Sequence, residues 1–203
     1  MSLDPPQAGP SLPDGTLLEG IVTTLDADGS PHIAPMGPIV DAGFNWLLLR
    51  PFRTSATFAN LKRTGQGVLH VTDDVELLAR AAVGRLKQLP RVVRAEAVEG
   101  VILADACRWY AFRVDSLDDR EDRTRIVARV VDHGRMRDFF GFNRAKHAVV
   151  EAAILATRIG LLEPEHIRSE LARLRVLVEK TGGQPERQAF DFLENYLSEQ
   201  INH

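Results

Sequence analysis

Short β-type runs separated by turn residues fill the first two-thirds of the chain, and a three-to-four-residue helical repeat takes over in the last third. Leu17–Leu25 (L-L-E-G-I-V-T-T-L) is rich in β-branched residues and stops at Asp26–Gly29 (D-A-D-G). That tetrapeptide is a hairpin signal, so Pro31–Val40 is expected to return antiparallel. Pro35 and Pro38 lack backbone donors, which places them at an edge, at a bulge, or where something other than a strand lies alongside. Phe44–Leu49 reads as a third strand. Thr54–Arg63 predicts a short helix closed by Gly65, followed by a strand over Gly67–Thr72. Asp73 and Asp74 cap a second helix, Val75–Gly84, and the basic stretch Arg85–Gly100 is expected to be a loop. Ala104–Ser116 and Thr124–Asp132 are long strands around the acidic turn Leu117–Asp122, a hairpin pattern. About six or more antiparallel strands result, and closing them into a barrel removes their edges.

From Asn143 the pattern is helical. Asn143 caps an alanine-rich run to Ile159, Glu163-Pro164 opens a helix that reaches Lys180 and stops at Gly182-Gly183, and Pro185 opens a last helix reaching Glu199. The expected organisation is a flexible tail over 1–14, a sheet domain over 15–140, and a helical subdomain over 141–203 packed on it.

Composition narrows the function classes. A net charge of −3 gives no general case for nucleic acid or an acidic membrane surface, and the basic stretch Arg85–Arg94 has no interleaved aromatics. Cys107 is the only cysteine, expected mid-strand, buried and inert. No run is apolar enough to span a bilayer and the first residues lack signal-peptide features, so the expected setting is cytoplasmic. Nucleophile elbows, P-loops and dinucleotide fingerprints are missing, and the histidines share no metal-ligand spacing.

Two clusters carry candidate chemistry. Thr54, Ser55 and Thr57 place hydroxyls at a helix N-terminus, with Arg50 and Arg53 beside them. That combination suits an anion, best a phosphate; it is equally the make-up of an ordinary Ser/Thr cap with surface arginines. In the helix after Asn143, Arg144, His147, Glu151 and Arg158 fall within about 60° of one another. The stripe is either a solvated face or one that overlooks a ligand and supplies a titratable imidazole, and Gly141-Phe142 lead tightly into it. His32 lies beside the proline pair, His70 alternates within a strand, and His133 reads as part of a turn. Gly37 permits close approach of a flat ligand to the backbone.

The runs E-G-I-V-T-T, P-H-I-A-P-M-G-P, R-P-F-R-T-S-A-T-F-A-N-L-K and V-L-H-V-T-D-D resemble the FMN-binding split-barrel proteins, which include flavin reductase-like and pyridoxamine-phosphate-oxidase-like flavoproteins. Within that superfamily they are most similar to the domain-of-unknown-function 447 family, whose second block resembles G-F-N-R-A-K-H-A-V-V-E-A-A-I-L-A-T-R. The resemblance implies a mainly β, antiparallel, Greek-key-like split barrel with a C-terminal helical subdomain. It implies FMN held by His32, Ala34, Pro35, Met36 and Gly37 along the ring, and by Arg50, Arg53, Thr54, Ser55 and Thr57 at the phosphate. It further implies a homodimer with FMN at the interface. Asn143, Arg144 and His147 are then candidates to complete the site, the last two as catalytic groups. The implied activity is flavin-dependent oxidoreduction with a small-molecule electron donor or acceptor. The alternatives are a non-catalytic flavin carrier or sensor and a cofactor-free interaction domain.

Overall fold

The computed structural model describes residues 15–201, so the expected tail over 1–14 lies outside the described residues. The chain forms two compact units. Of the described residues, one unit holds 15–71 with Val92–Ala104 and Arg108–Met136; the other holds Thr72–Arg91, Asp105–Cys107 and 137–201.

The first unit is a split β-barrel. Its strands are β1 (Thr16–Leu17), β2 (Gly20–Leu25), β3 (Pro31–Met36), β4 (Ile39–Val40), β5 (Trp46–Leu49), β6 (Gln66–Val71), β7 (Val92–Arg94), β8 (Val101–Leu103), β9 (Arg108–Asp118) and β10 (Arg125–Arg135). Eight of them pair in the order β1-β4-β5-β10-β9-β6-β2-β3, all antiparallel. The two ends of that order belong to one hairpin. Thr16 faces Val40, Leu17 faces Ile39, Gly20 faces Met36 and Leu25 faces Pro31, an unbroken register with Leu18 N donating to Pro38 O between the halves at 3.0 Å. One half is stitched to β5 through β4 and the other to β6 through β2, so the hairpin closes the sheet on itself. The expected Leu17–Leu25 and Pro31–Val40 strands are therefore each interrupted, at Leu18-Glu19 and Gly37-Pro38. At Gly20 the backbones lie so close that an added Cβ would meet His70 O at 2.6 Å. Pro35 sits on β3, the last strand of the order, where a missing donor is tolerated.

α1 (Ala56–Thr64) carries the chain from β5 to β6, between which β10 and β9 intervene, giving the Greek-key-like crossing. Inside the barrel pack Val22, Leu47, Leu49, Phe58, Leu61, Leu69, Phe112 and Ile126. Each contributes about 1.5–3 kcal/mol by leaving water. Val68 and Ala111 face the other way, under Ala95, Val98 and Ile102. β6 is thus buried on both faces, which is why G-V-L-H-V reads as a continuous apolar run.

Several sequence expectations are corrected. Arg85–Gly100 is not all loop: Val92–Arg94 pairs with Val101–Leu103 in a second, two-stranded sheet. β7 is exposed throughout and three residues long, so it shows no alternation. Cys107 lies in a bend before β9 rather than mid-strand, because Ala104 and Asp105 turn the chain first. His133 is within β10, its ring 6.1 Å from that of Tyr110, rather than in a turn. The third strand starts at Trp46, since Phe44 takes a left-handed conformation (φ 54°) in a turn where Asp41 accepts from Trp46 N at 2.7 Å.

His70 is fully buried. Its Nδ1 lies 3.2 Å from Ile21 O, and Leu103 N donates to its Nε2 at 3.1 Å. The neutral ring, protonated at Nδ1, thus ties β2, β6 and β8 together. Its cost is exclusion of the charged form: burial pushes the pKa down to about 4 against an ordinary 6.5, outweighing the Ile21 carbonyl.

The second unit is helical: α2 (Val75–Ala82), α3 (Arg144–Ala156), α4 (Pro164–Thr181) and α5 (Gln184–Ile201). Ala145, Ala148, Val149, Ala152 and Ala153 of α3 are buried, as are Ile167, Leu171 and Val178 of α4 and Ala189, Phe190, Leu193 and Leu197 of α5. Small residues on α3 let its neighbours pack close. No helix among the described residues is long and apolar enough to cross a membrane.

The unfolded chain binds a proton at His70 below pH ~6.5 that the folded chain refuses until about 4, so stability is greatest above that window and falls as pH drops through it. Urea unfolding at pH 7 and pH 5 is expected to differ by about 2 kcal/mol from this group, and His70→Gln is expected to flatten that slope. An unchanged slope in the variant contradicts the assignment.

Candidate functional site

Leaving β5, the chain runs Arg50-Pro51-Phe52-Arg53-Thr54-Ser55 into α1, and the turn between β9 and β10 fastens it at three successive residues. Pro51 O accepts from both the Thr124 N–H (3.1 Å) and the Thr124 hydroxyl (2.8 Å), and Thr124 is fully buried. Phe52 bridges Arg123 as an isolated antiparallel pair, with the Arg123 guanidinium 5.5 Å from the ring centre. Arg53 N donates to Asp122 O at 2.8 Å, and its guanidinium pairs with the Asp122 carboxylate at 3.1 Å.

Ser55 is the N-cap of α1: its backbone is extended and its Oγ accepts from Phe58 N at 3.2 Å. Thr57 is buried in the first turn, while Thr54 is exposed. The helix is held over the β2–β3 hairpin by Asn60, whose Nδ2 donates to Thr24 Oγ1 (3.0 Å) and Asp26 Oδ1 (2.8 Å). Lys62 and Arg63 occupy its last turn and Gly65 closes it at φ 67°, a left-handed cap. Its N-terminus has no acidic residue in the first turn. Arg50 Nε is buried with no hydrogen-bond partner among the described residues. A buried guanidinium N–H left unpaired is costly, and an anion is a partner that satisfies such a donor, as it does the free N–H groups of a helix start. The sequence-predicted group Arg50, Arg53, Thr54, Ser55 and Thr57 is thus one continuous loop and helix start, with Arg53 already paired and Ser55 already capping.

β3 presents the second predicted group. Among the described residues only one side of this strand is paired, so the outward backbone polar groups along His32, Ala34, Pro35 and Met36 have no ladder partner there. His32 is half-buried opposite Thr24. At Gly37 an added Cβ would lie 3.2 Å from Leu17 and 3.5 Å from the Glu19 carboxylate, so this chain's own side chains pack there.

The third group lies in the second unit. Asn143 caps α3: its Oδ1 accepts from Ala145 N (2.9 Å) and Lys146 N (3.1 Å), and its Nδ2 donates to Thr181 O (3.1 Å). Arg144, His147 and Glu151 are exposed on α3. Arg158 is not on that stripe, because α3 ends at Ala156 with Thr157 as C-cap, and the helical spacing stops there. His147 stacks with Phe142 at 6.2 Å between ring centres, and Phe142 is 95% exposed.

Sequence reasoning missed two sets of residues. Asp122 and Thr124 sit some seventy positions from the loop they fasten, and the only signal was an acidic turn followed by a threonine opening a strand. In the second unit Asp74 alone caps α2, and Asp73, expected to cap it too, accepts instead from Arg137 and from Phe140 N (2.7 Å), while Lys146 donates to Asp73 O (2.8 Å) and Glu186 (2.8 Å). Burial opposes ionisation of Asp73 and Glu186, but Arg137, Lys146 and backbone N–H groups hold both carboxyls below their ordinary values. Burial, and then the Asp73 charge, push the Cys107 thiol up, which leaves it a poor nucleophile.

Comparison with known proteins places this geometry. A family model for the N-terminal domain of a protein of unknown function, DUF447, matches residues 18–137, and a second DUF447 model matches residues 143–195. Among solved structures, an FMN-bound protein from Methanosarcina mazei assigned to DUF447 is 24% identical, with a TM-score of 0.74 over 90% of this chain and 95% of that one. The flavoredoxin of Desulfovibrio vulgaris is 11% identical, with a TM-score of 0.51 over 66% of this chain and 76% of that one. The 2-nitrobenzoate 2-nitroreductase of Pseudomonas fluorescens is 13% identical, with a TM-score of 0.50 over 61% and 66%. These likenesses speak to the fold. No curated protein gave a match.

Ser55→Ala removes the side-chain acceptor of Phe58 N, and is expected to cost about 1 kcal/mol in urea unfolding. A variant as stable as the parent would show that the cap contributes nothing.

Proposed function

The chain belongs to the DUF447 family, and on that premise we propose that it binds FMN non-covalently and serves as a flavin-dependent oxidoreductase acting on a small molecule. One observation carries the reading. Arg50 Nε is buried with no hydrogen-bond partner among the described residues, in the loop that leads into the N-terminus of α1, and that combination suits a phosphate monoester. The FMN-bound family member and the nitroreductase on a similar fold support the cofactor and the reaction class respectively.

In this reading Arg50 and Arg53, the Thr54 and Ser55 hydroxyls and the buried Thr57 hold the phosphate. The unpaired backbone groups of β3, from His32 through Ala34, Pro35 and Met36 to Gly37, orient the polar edge of the ring. FMN, when bound, supplies reversible electron transfer. His147 is the proposed group that a second protomer brings to the flavin to hold or release a proton at its imidazole, with Arg144 supplying positive charge three residues away in sequence. Asn143 positions both by capping their helix.

A homodimer is part of the same proposal. Phe139, Phe140 and Phe142 are 50%, 72% and 95% exposed within four residues, an aromatic patch of the kind that marks association surfaces.

Arg50→Ala is expected to weaken FMN binding roughly tenfold to a hundredfold while leaving riboflavin, which lacks the phosphate, unaffected; titration calorimetry reads both. Equal loss for both ligands would contradict a phosphate role. Anaerobic NADH or NADPH is expected to bleach the bound flavin, and failure of both to do so favours a carrier. Phe140→Ser with Phe142→Ser is expected to shift the dimer to monomer in sedimentation, and a dimer that persists places the interface elsewhere.

A further inference from the structure

We infer that Thr124 is a positioning residue for phosphate recognition, acting through Pro51 on Arg50; the inference rests on the FMN reading above. Thr124 is fully buried where β10 is about to begin, and gives both its N–H (3.1 Å) and its hydroxyl (2.8 Å) to Pro51 O. Pro51 directly follows Arg50, and its ring fixes φ, so a carbonyl held on one side and a locked torsion on the other leave the backbone at Arg50 little freedom. The fastening continues through the next two residues, Phe52 to Arg123 and Arg53 to Asp122. Three consecutive residues are attached to the β9–β10 turn, so the geometry of the anion loop is set by a segment some seventy positions away in the chain.

Holding the Arg50 side chain, with its buried Nε, ready before an anion arrives cuts the ordering cost of binding. Loosening the loop should therefore weaken ligands that carry the phosphate and spare those that lack it. A merely structural threonine would weaken both alike or neither.

Asp122 supplies an independent check with a definite sign. Its carboxylate is an anion beside the loop, so if it did nothing but repel a phosphate, neutralising it would tighten binding. If it fastens Arg53, neutralising it loosens the loop and weakens binding. The side chain is 87% exposed, so Asp122→Asn is not expected to disturb folding.

The experiment measures FMN and riboflavin affinities of the full chain and three variants by titration calorimetry, with urea unfolding as a control. Thr124→Val, which keeps the shape and the backbone N–H but loses the hydroxyl, is expected to bind FMN roughly tenfold more weakly and riboflavin as before. Thr124→Ser is expected to restore FMN affinity to within about twofold, since it keeps the hydroxyl. Asp122→Asn is expected to lose roughly twofold to threefold in FMN affinity alone. An unchanged FMN-to-riboflavin ratio in Thr124→Val overturns the inference and leaves the FMN reading standing. Should Thr124→Val not fold, tighter or unchanged FMN binding by Asp122→Asn overturns it instead. Absence of FMN binding by the parent chain overturns the FMN reading, and the inference with it.

Discussion

The structure depends on one hairpin doing two jobs. Residues Thr16–Leu25 and Pro31–Val40 keep a single antiparallel register, yet one half of the ladder joins β5 and the other joins β6. Each long strand must therefore change neighbours partway along, and the change falls at Leu18-Glu19 and Gly37-Pro38. Closure removes the open edges that a six-stranded sheet would otherwise present. It also leaves β3 with one side unpaired among the described residues, and half-satisfied backbone in a half-buried strand is what a planar, polar-edged ligand can use. The Greek-key crossing adds the second half of the candidate site, because α1 must span from β5 to β6 and starts where Arg50 emerges.

Rigidity around that site comes from a few buried polar contacts rather than from apolar area alone. His70 joins three strands through a neutral imidazole, and Thr124 and Asn60 fix the two ends of the Arg50-to-α1 segment. Each is satisfied within the chain, which is the condition under which a buried polar group specifies a structure instead of weakening it. Arg50 Nε departs from that pattern, and so it carries the functional argument. The second unit applies the same economy in Asp73, Arg137, Lys146 and Glu186, which draw the start of α2, the loop before α3, α3 itself and α5 into one charged network.

Much of this was legible in the sequence wherever local chemistry decides the outcome. The D-A-D-G turn set the hairpin register, Gly65 closed α1, whose start came two residues later than the expected Thr54, and Asn143 capped α3. The resemblance to split-barrel flavoproteins supplied what local chemistry does not, namely how the strands are ordered. What escaped was decided by contacts between distant residues. β7 and β8 are three residues each and held by their mutual pairing and by Ile102 of β8 in the packed layer, His133 was drawn into β10 by pairing with β9, and Asp122 and Thr124 act on a loop that no periodicity connects to them. The stripe on α3 was read one residue class too far: Arg158 has the right spacing, but the helix has already ended.

The central claim is that this barrel holds FMN by its phosphate. Its most direct test is the visible absorbance of the protein after equilibration with FMN and passage through a gel-filtration column, alongside a parallel sample given riboflavin. Flavin bands that travel with the protein from FMN, and are weaker from riboflavin, are the predicted result. A colourless protein peak from both samples would contradict the account.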